Sequence, residues 1–176
     1  MTAVVLCGGR SRRFGTDKTR ASLHGLPLLD HVLAGVPRSW TVLCVGPSRP
    51  TVRAVGWVRE DPAGGGPNAA IAAALPHVDS PLVVVLAADM PWAGSAALDL
   101  AEALAEALER SRAQPPAEVH ADARARANPG IDAVYARDRN GRVQPLLAAY
   151  RTAALRAALP APPENTPARK MCIRDR

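Results

Sequence analysis

The chain has 176 residues, of which 48% are hydrophobic and only 3% aromatic, and it carries a net charge of +6. That hydrophobic content suits one domain with a substantial core and excludes a disordered chain, while the few aromatics argue against base-stacking platforms for nucleic acid. No apolar run approaches the roughly 18–20 residues of a membrane span, and the start lacks the parts of a signal peptide, so a cytoplasmic protein without a membrane partner is expected.

In chain order, AVVLC (3–7) reads as a first buried strand and LPLLDHVLAG (26–35) as a first helix. TVLCV (41–45) is a second strand and AVGWV (54–58) a weaker third. Pro67 opens a small-residue helix, at a position where a missing N–H costs nothing. LVVVLA (82–87) is apolar throughout, as a central parallel strand should be. Ser95 to Arg112 predicts an amphipathic helix with Ala97, Leu98, Ala101, Leu104, Ala105 and Leu108 along its core stripe. Residues 113–130 show no periodicity and read as an exposed, mobile excursion. IDAVYA (131–136) and VQPLLAAY (143–150) around DRNG (138–141) predict a hairpin, followed by a helix from Thr152 to Leu159. The alternation of strands and helices points to an α/β fold with a mostly parallel sheet.

Chemistry gathers at three predicted strand ends. In LCGGRSRRFGTDK, Gly8 and Gly9 let backbone approach a ligand, and Arg10, Arg12, Arg13 and Lys18 surround it with cationic donors. Lys18 is one of only two lysines. The loop is neither GxxxxGK[ST] nor GxGxxG, and a solvated basic turn is the alternative. In REDPAGGGPN (59–68), Asp61 precedes a glycine-rich loop and a helix start, or else caps a turn before Pro62. In LAADMPW (86–92), Asp89 ends the most apolar strand; burying it unpaired would be costly, and a hard divalent cation beside phosphate would satisfy it, the alternative being a turn former. A parallel sheet would bring all three to one rim. Cys7, Cys44 and Cys172 form no CxxC, and none of the four histidines lies in these motifs. The pattern suits phosphoryl-group chemistry at a nucleotide.

LCGGRSRRFGTDKTRASLHGLPLLDHV, EDPAGGGPNAAI, LAADMPW and QPLLAAYR, in that order, resemble the molybdenum cofactor guanylyltransferase family. The resemblance implies a three-layer Rossmann-like nucleotidyltransferase fold that binds GTP and Mg2+ and transfers GMP to molybdenum-bearing molybdopterin, releasing pyrophosphate. A molybdoenzyme or its chaperone would be the downstream partner. Leu6, Cys7, Gly8 and Gly9 would line the nucleotide through backbone, Arg13 and Lys18 would meet its phosphates, Asp61 would contact it, and Asp89 would hold magnesium. Lys18 and Asp89 are then the catalytic pair. Cys7, Phe14 and Ala70 depart from the usual alanine, methionine and glycine, and Gly46 falls where relatives often carry a side-chain contact, leaving it a backbone role. Residues 1–170 are expected to be one such domain, incomplete at its carboxyl end, and 171–176 a non-native tail. A cytidylyltransferase for the same cofactor, a sugar-phosphate or phospholactate nucleotidyltransferase, and a non-catalytic nucleotide-binding protein are the rival readings. The LCGG pair and Asp17-Lys18 favour guanine by resemblance.

Overall fold

The computed structural model describes residues 1–8, 22–61, 63–113 and 131–159. Its elements are β1 (Thr2–Leu6), a small hairpin of β2 (Ser22–Leu23) and β3 (Leu26–Pro27), α1 (Leu28–Gly35), β4 (Thr41–Val45), β5 (Gly56–Val58), α2 (Gly66–Ala74), β6 (Leu82–Ala87), α3 (Ala97–Ala113), β7 (Ala133–Arg137), β8 (Val143–Arg151) and α4 (Thr152–Ala158). A short 3₁₀ turn, Leu75–His77, extends α2. The readings of Gly9, Arg10, Arg12, Arg13, Lys18, the excursion from 114 to 130 and the tail at 171–176 lie outside the described residues.

Six strands form one sheet in the order β5-β4-β1-β6-β8-β7. β1, β4, β5 and β6 are mutually parallel, and β8 runs antiparallel to both β6 and β7. The apolar strands occupy the centre because both faces of the sheet are covered. On one face α1 and α3 pack through Leu29, Val32, Leu33, Leu100 and Leu104 against Val5, Val84 and Leu86. On the other, α2 and α4 bring Ile71, Ala74 and Leu155 onto Val4, Val83 and Val85. This is the expected three-layer fold.

Three readings need correction. Residues 26–27 belong to β3 rather than to the first helix, because His24 (φ 51°) and Gly25 (φ 81°) both take positive φ and close a two-residue hairpin turn. The stripe of α3 is also rotated: Leu98 is 43% exposed, and Ala105 faces solvent, while Leu100 and Ala107 are buried. Helical period alone fits either face, and the crossing of α3 over β6 to β8 selects one. β5 is shorter than predicted, at Gly56–Val58.

A surface depression of about 440 Å3 lies at the amino-terminal ends of β4 and β5, lined by Arg38, Trp40, Thr41, Arg53 and Gly56 among others. Arg53 is committed there to structure, its guanidinium donating to the carbonyls of Val36, Pro37, Arg38 and Trp40 at 2.9 to 3.5 Å. Arg53→Ala leaves these oxygens to solvent and should lower the unfolding free energy by roughly 1.5–3 kcal/mol, measured by urea titration.

Candidate active site

The parallel strands end level. Leu6 pairs with Val45 on one side and Ala87 on the other, and Val45 pairs with Val58. The ladder runs one residue further: Cys7 N–H donates to Val45 O at 2.8 Å, Gly46 N–H to Val58 O at 2.8 Å, and Ala88 N–H to Leu6 O at 3.1 Å. The chain winds outward from β1 through β4 to β5 and then crosses back to β6 on the other side of β1. That reversal opens a crevice at the carboxyl ends of β1 and β6, the ligand position of open α/β sheets. Cys7–Gly8 and Ala88–Asp89 flank it. Leu147 of β8 pairs with Leu86, so the QPL segment enters the sheet at the same rim. Gln144 there donates to Asp138 Oδ2 at 3.3 Å, holding the hairpin turn.

The side chains of Leu6 and Cys7 are buried, so only their backbone can reach a ligand. Gly8 is exposed, and a Cβ on it would meet Glu60 Oε1 at 3.8 Å and Val45 O at 3.9 Å, which are ordinary contacts. Gly46 is different. Its φ is +144°, and a Cβ would come within 3.1 to 3.2 Å of Cys7 C, Cys7 O and Gly8 N, so glycine is required for the exit of β4 to pass beneath the first loop. Arg49, half-buried in the same exit, donates from Nη2 to Cys7 O at 3.2 Å, with its guanidinium carbon 6.0 Å from the Trp57 ring centroid.

Asp61 is exposed beyond β5, and the acid that reaches toward the first loop is its neighbour Glu60. Glu60 Oε1 accepts from Gly64 N–H at 3.1 Å, bracing the glycine-rich turn before α2. Sequence reading passed over Glu60 and Arg49 alike; each is an ordinary charged loop residue until the strand ends are aligned.

Asp89 is exposed, which corrects the expectation that burial demands a counter-ion. Ala88 takes the buried position, and Asp89 turns outward in a turn closed by Met90 N–H on Ala87 O at 3.3 Å. Among the described residues no hydrogen bond or ion pair engages its carboxylate, and no three or more His, Cys, Asp or Glu side chains come together as a metal cluster. The neighbouring Cys7 side chain and burial raise the Cys44 thiol well above its ordinary pKa, and both cysteines are buried among the strands. No helix among the described residues is long and apolar enough to cross a membrane.

A doubly wound α/β sheet whose strand order reverses between β1 and β6 defines a fold of Rossmann-like type. The family model of the MobA-like NTP transferase domain matches residues 3–175, and the chain belongs to that family. A protein of Synechococcus elongatus bearing the name probable molybdenum cofactor guanylyltransferase is 37% identical over 97 residues, 51% of this chain and 50% of that one. Molybdopterin-guanine dinucleotide biosynthesis protein A from Archaeoglobus fulgidus superposes with a TM-score of 0.52 at 27% identity, covering 90% of this chain and 73% of that chain. A nucleotidyl transferase from Methanothermobacter, at 18% identity and a TM-score of 0.54, covers 92% of this chain and 76% of its own and shares the fold. The chain spans about half the length of the curated relatives it matches.

Proposed function

We propose that this chain transfers GMP from GTP to molybdenum-bearing molybdopterin, forming the guanine dinucleotide cofactor and releasing pyrophosphate. The observation that carries the reading is the switch point between the carboxyl ends of β1 and β6, with the Cys7–Gly8 backbone on one side and Asp89 on the other. Family membership and the names of the relatives above support the choice of reaction.

In this reading the backbone of Leu6, Cys7, Gly8 and Gly9 lines the nucleotide. Arg13 and Lys18 neutralise its phosphates, Asp61 contacts it from the β5 side, and Gly46 acts only through backbone. The Asp89 carboxylate, exposed at the rim with no partner among the described residues, is an oxygen donor of the kind a magnesium ion takes and would hold the ion beside the phosphates. When bound there, the ion supplies charge neutralisation to the triphosphate. An oxygen of the acceptor's terminal phosphate forms a bond to the α-phosphorus of GTP, and the bond from that phosphorus to the bridging oxygen breaks, its electron pair leaving with pyrophosphate. A phosphate nucleophile is already anionic, so the chain's task is to position both substrates and to stabilise leaving-group charge through Lys18. The molybdoenzyme or chaperone that receives the product is the downstream partner, and the reaction is placed in the cytoplasm.

Pyrophosphate release with GTP, CTP and ATP, each with and without the molybdopterin cofactor, tests the reading. GTP should exceed CTP by roughly ten- to a hundredfold, because one unmatched polar group at the base edge costs about 1–3 kcal/mol. In this reading the larger base uses the room that the missing side chain of Gly8 leaves. Preference for CTP moves the chain to the cytidylyl reading, and nucleotide binding without any pyrophosphate release to the non-catalytic one.

A further inference from the structure

The parallel ladder between β1 and β4 has a gap at its upper end. In such a ladder, a residue whose N–H bonds the opposite strand offers its C=O to the N–H two positions further along that strand. Cys7 N–H bonds Val45 O, so the donor due at Cys7 O is residue 47. Residue 47 is proline and has no N–H. Arg49 Nη2 occupies that position instead, 3.2 Å from Cys7 O, with the guanidinium set against Trp57. The backbone of Gly46 presses on the same peptide from beneath.

Because a trans peptide points its N–H opposite to its C=O, holding Cys7 O on the β4 side turns Gly8 N–H toward β6. The β1–β6 ladder stops there. Ala88 N–H still bonds Leu6 O, but the chain then enters the turn at Asp89, and among the described residues Gly8 N–H makes no backbone bond across to β6. Gly8 N–H therefore faces the switch-point crevice. A cationic donor on the carbonyl of the same peptide also polarises that N–H and makes it a stronger donor.

We propose that Arg49 is a positioning residue for the nucleotide, standing in for the N–H that Pro47 lacks and thereby aiming Gly8 N–H at an oxygen acceptor of the bound ligand. The assignment rests on the nucleotide reading of the crevice. It separates Arg49 from a surface charge that merely raises affinity for anions, since its effect passes through one named amide.

The test uses the full chain labelled with 15N, comparing wild type with Arg49→Met and Arg49→Lys. In the absence of nucleotide, the Gly8 amide resonance of Arg49→Met should move upfield as the peptide loses its cationic partner. With GTP and magnesium, the wild-type Gly8 resonance should shift on binding and the variant's much less. The dissociation constant for GTP and the KM should rise roughly tenfold, the weight of about one hydrogen bond, with kcat changed less than KM. Arg49→Lys keeps the charge without the planar fork and should fall between the two; it also serves if Arg49→Met does not fold. An unmoved Gly8 resonance in nucleotide-free Arg49→Met, or wild-type GTP affinity in a folded variant, overturns the proposal. Failure of the guanylyl reading is seen separately: wild type would prefer CTP, and the same comparison made with CTP would still read the Arg49 effect. Wild type binding no nucleotide at all overturns both.

Discussion

Asp89→Asn should reduce turnover by roughly 10²–10³ while leaving the fold intact, the scale on which a preorganised electrostatic group is lost. The side chain is exposed, and no described residue bonds to it, so the amide removes charge without opening a cavity or stranding a partner. Its position is held by backbone alone, through Met90 N–H on Ala87 O at 3.3 Å and Ala93 N–H on Met90 O at 2.9 Å, and neither bond involves the carboxylate. Stability should stay within about 0.5 kcal/mol of wild type, as for surface substitutions generally. Pyrophosphate release at saturating GTP and magnesium, together with a thermal melt, checks both halves. Wild-type turnover in a folded variant would remove Asp89 from the site.

Gly94→Ala should be the most destabilising single-methyl change in the described part of the molecule. A Cβ at Gly94 would overlap the carbonyl oxygen of Val32 in α1 and approach Gly35 Cα at 3.1 Å. The reciprocal position is as tight, since a Cβ at Gly35 would lie 2.5 Å from Ser95 N and 2.7 Å from Gly94 C. These obstacles are backbone, with no flexible side-chain tip to yield, so the cost belongs at the upper end of overpacking, about 3 kcal/mol. For a chain of this size that is a fall in Tm of roughly 6–12 °C, read by differential scanning calorimetry. Since the 93–95 turn follows the one that carries Asp89, the backbone shift that relieves the overlap should lower activity as well. A melt within 2 °C of wild type would show that α1 and this turn are not packed glycine to glycine.

Much of this architecture is legible in the residues alone. LVVVLA and TVLCV occupy β6 and β4 with the boundaries that their composition predicts, because a strand buried on both faces must be apolar throughout and can end only where polar or glycine residues begin. The β7–β8 hairpin is legible for a local reason too. Asp138 Oδ1 accepts from the N–H groups of Asn140 and Arg142, and Gly141 supplies positive φ, all within the turn itself. Even the gathering of three motifs on one rim follows from strand direction, given a parallel sheet.

The tertiary structure decided the rest, since each remaining feature depends on groups distant in the chain. Whether Leu98 or Leu100 of α3 is core depends on how the helix crosses the sheet, because a period of 3.6 residues supports both stripes. Local composition places an acid after β6, but only the turn at Ala87–Met90 shows that Ala88 takes the buried position and Asp89 the solvent. Nothing local in the chain marks glycines 35, 46 and 94 as obligatory, yet each is held to glycine by a backbone that passes within van der Waals distance from elsewhere in the chain. Arg49 acquires its place only when strand register sets Pro47 opposite the Cys7 carbonyl. The amino-acid sequence by itself determined the strands of the six-stranded sheet, their alternation with helices and the residue types at their ends, because hydrophobic period and turn chemistry are local. Which backbone groups face one another across the crevice was decided by packing, because close approach and hydrogen-bond pairing are properties of two segments at once.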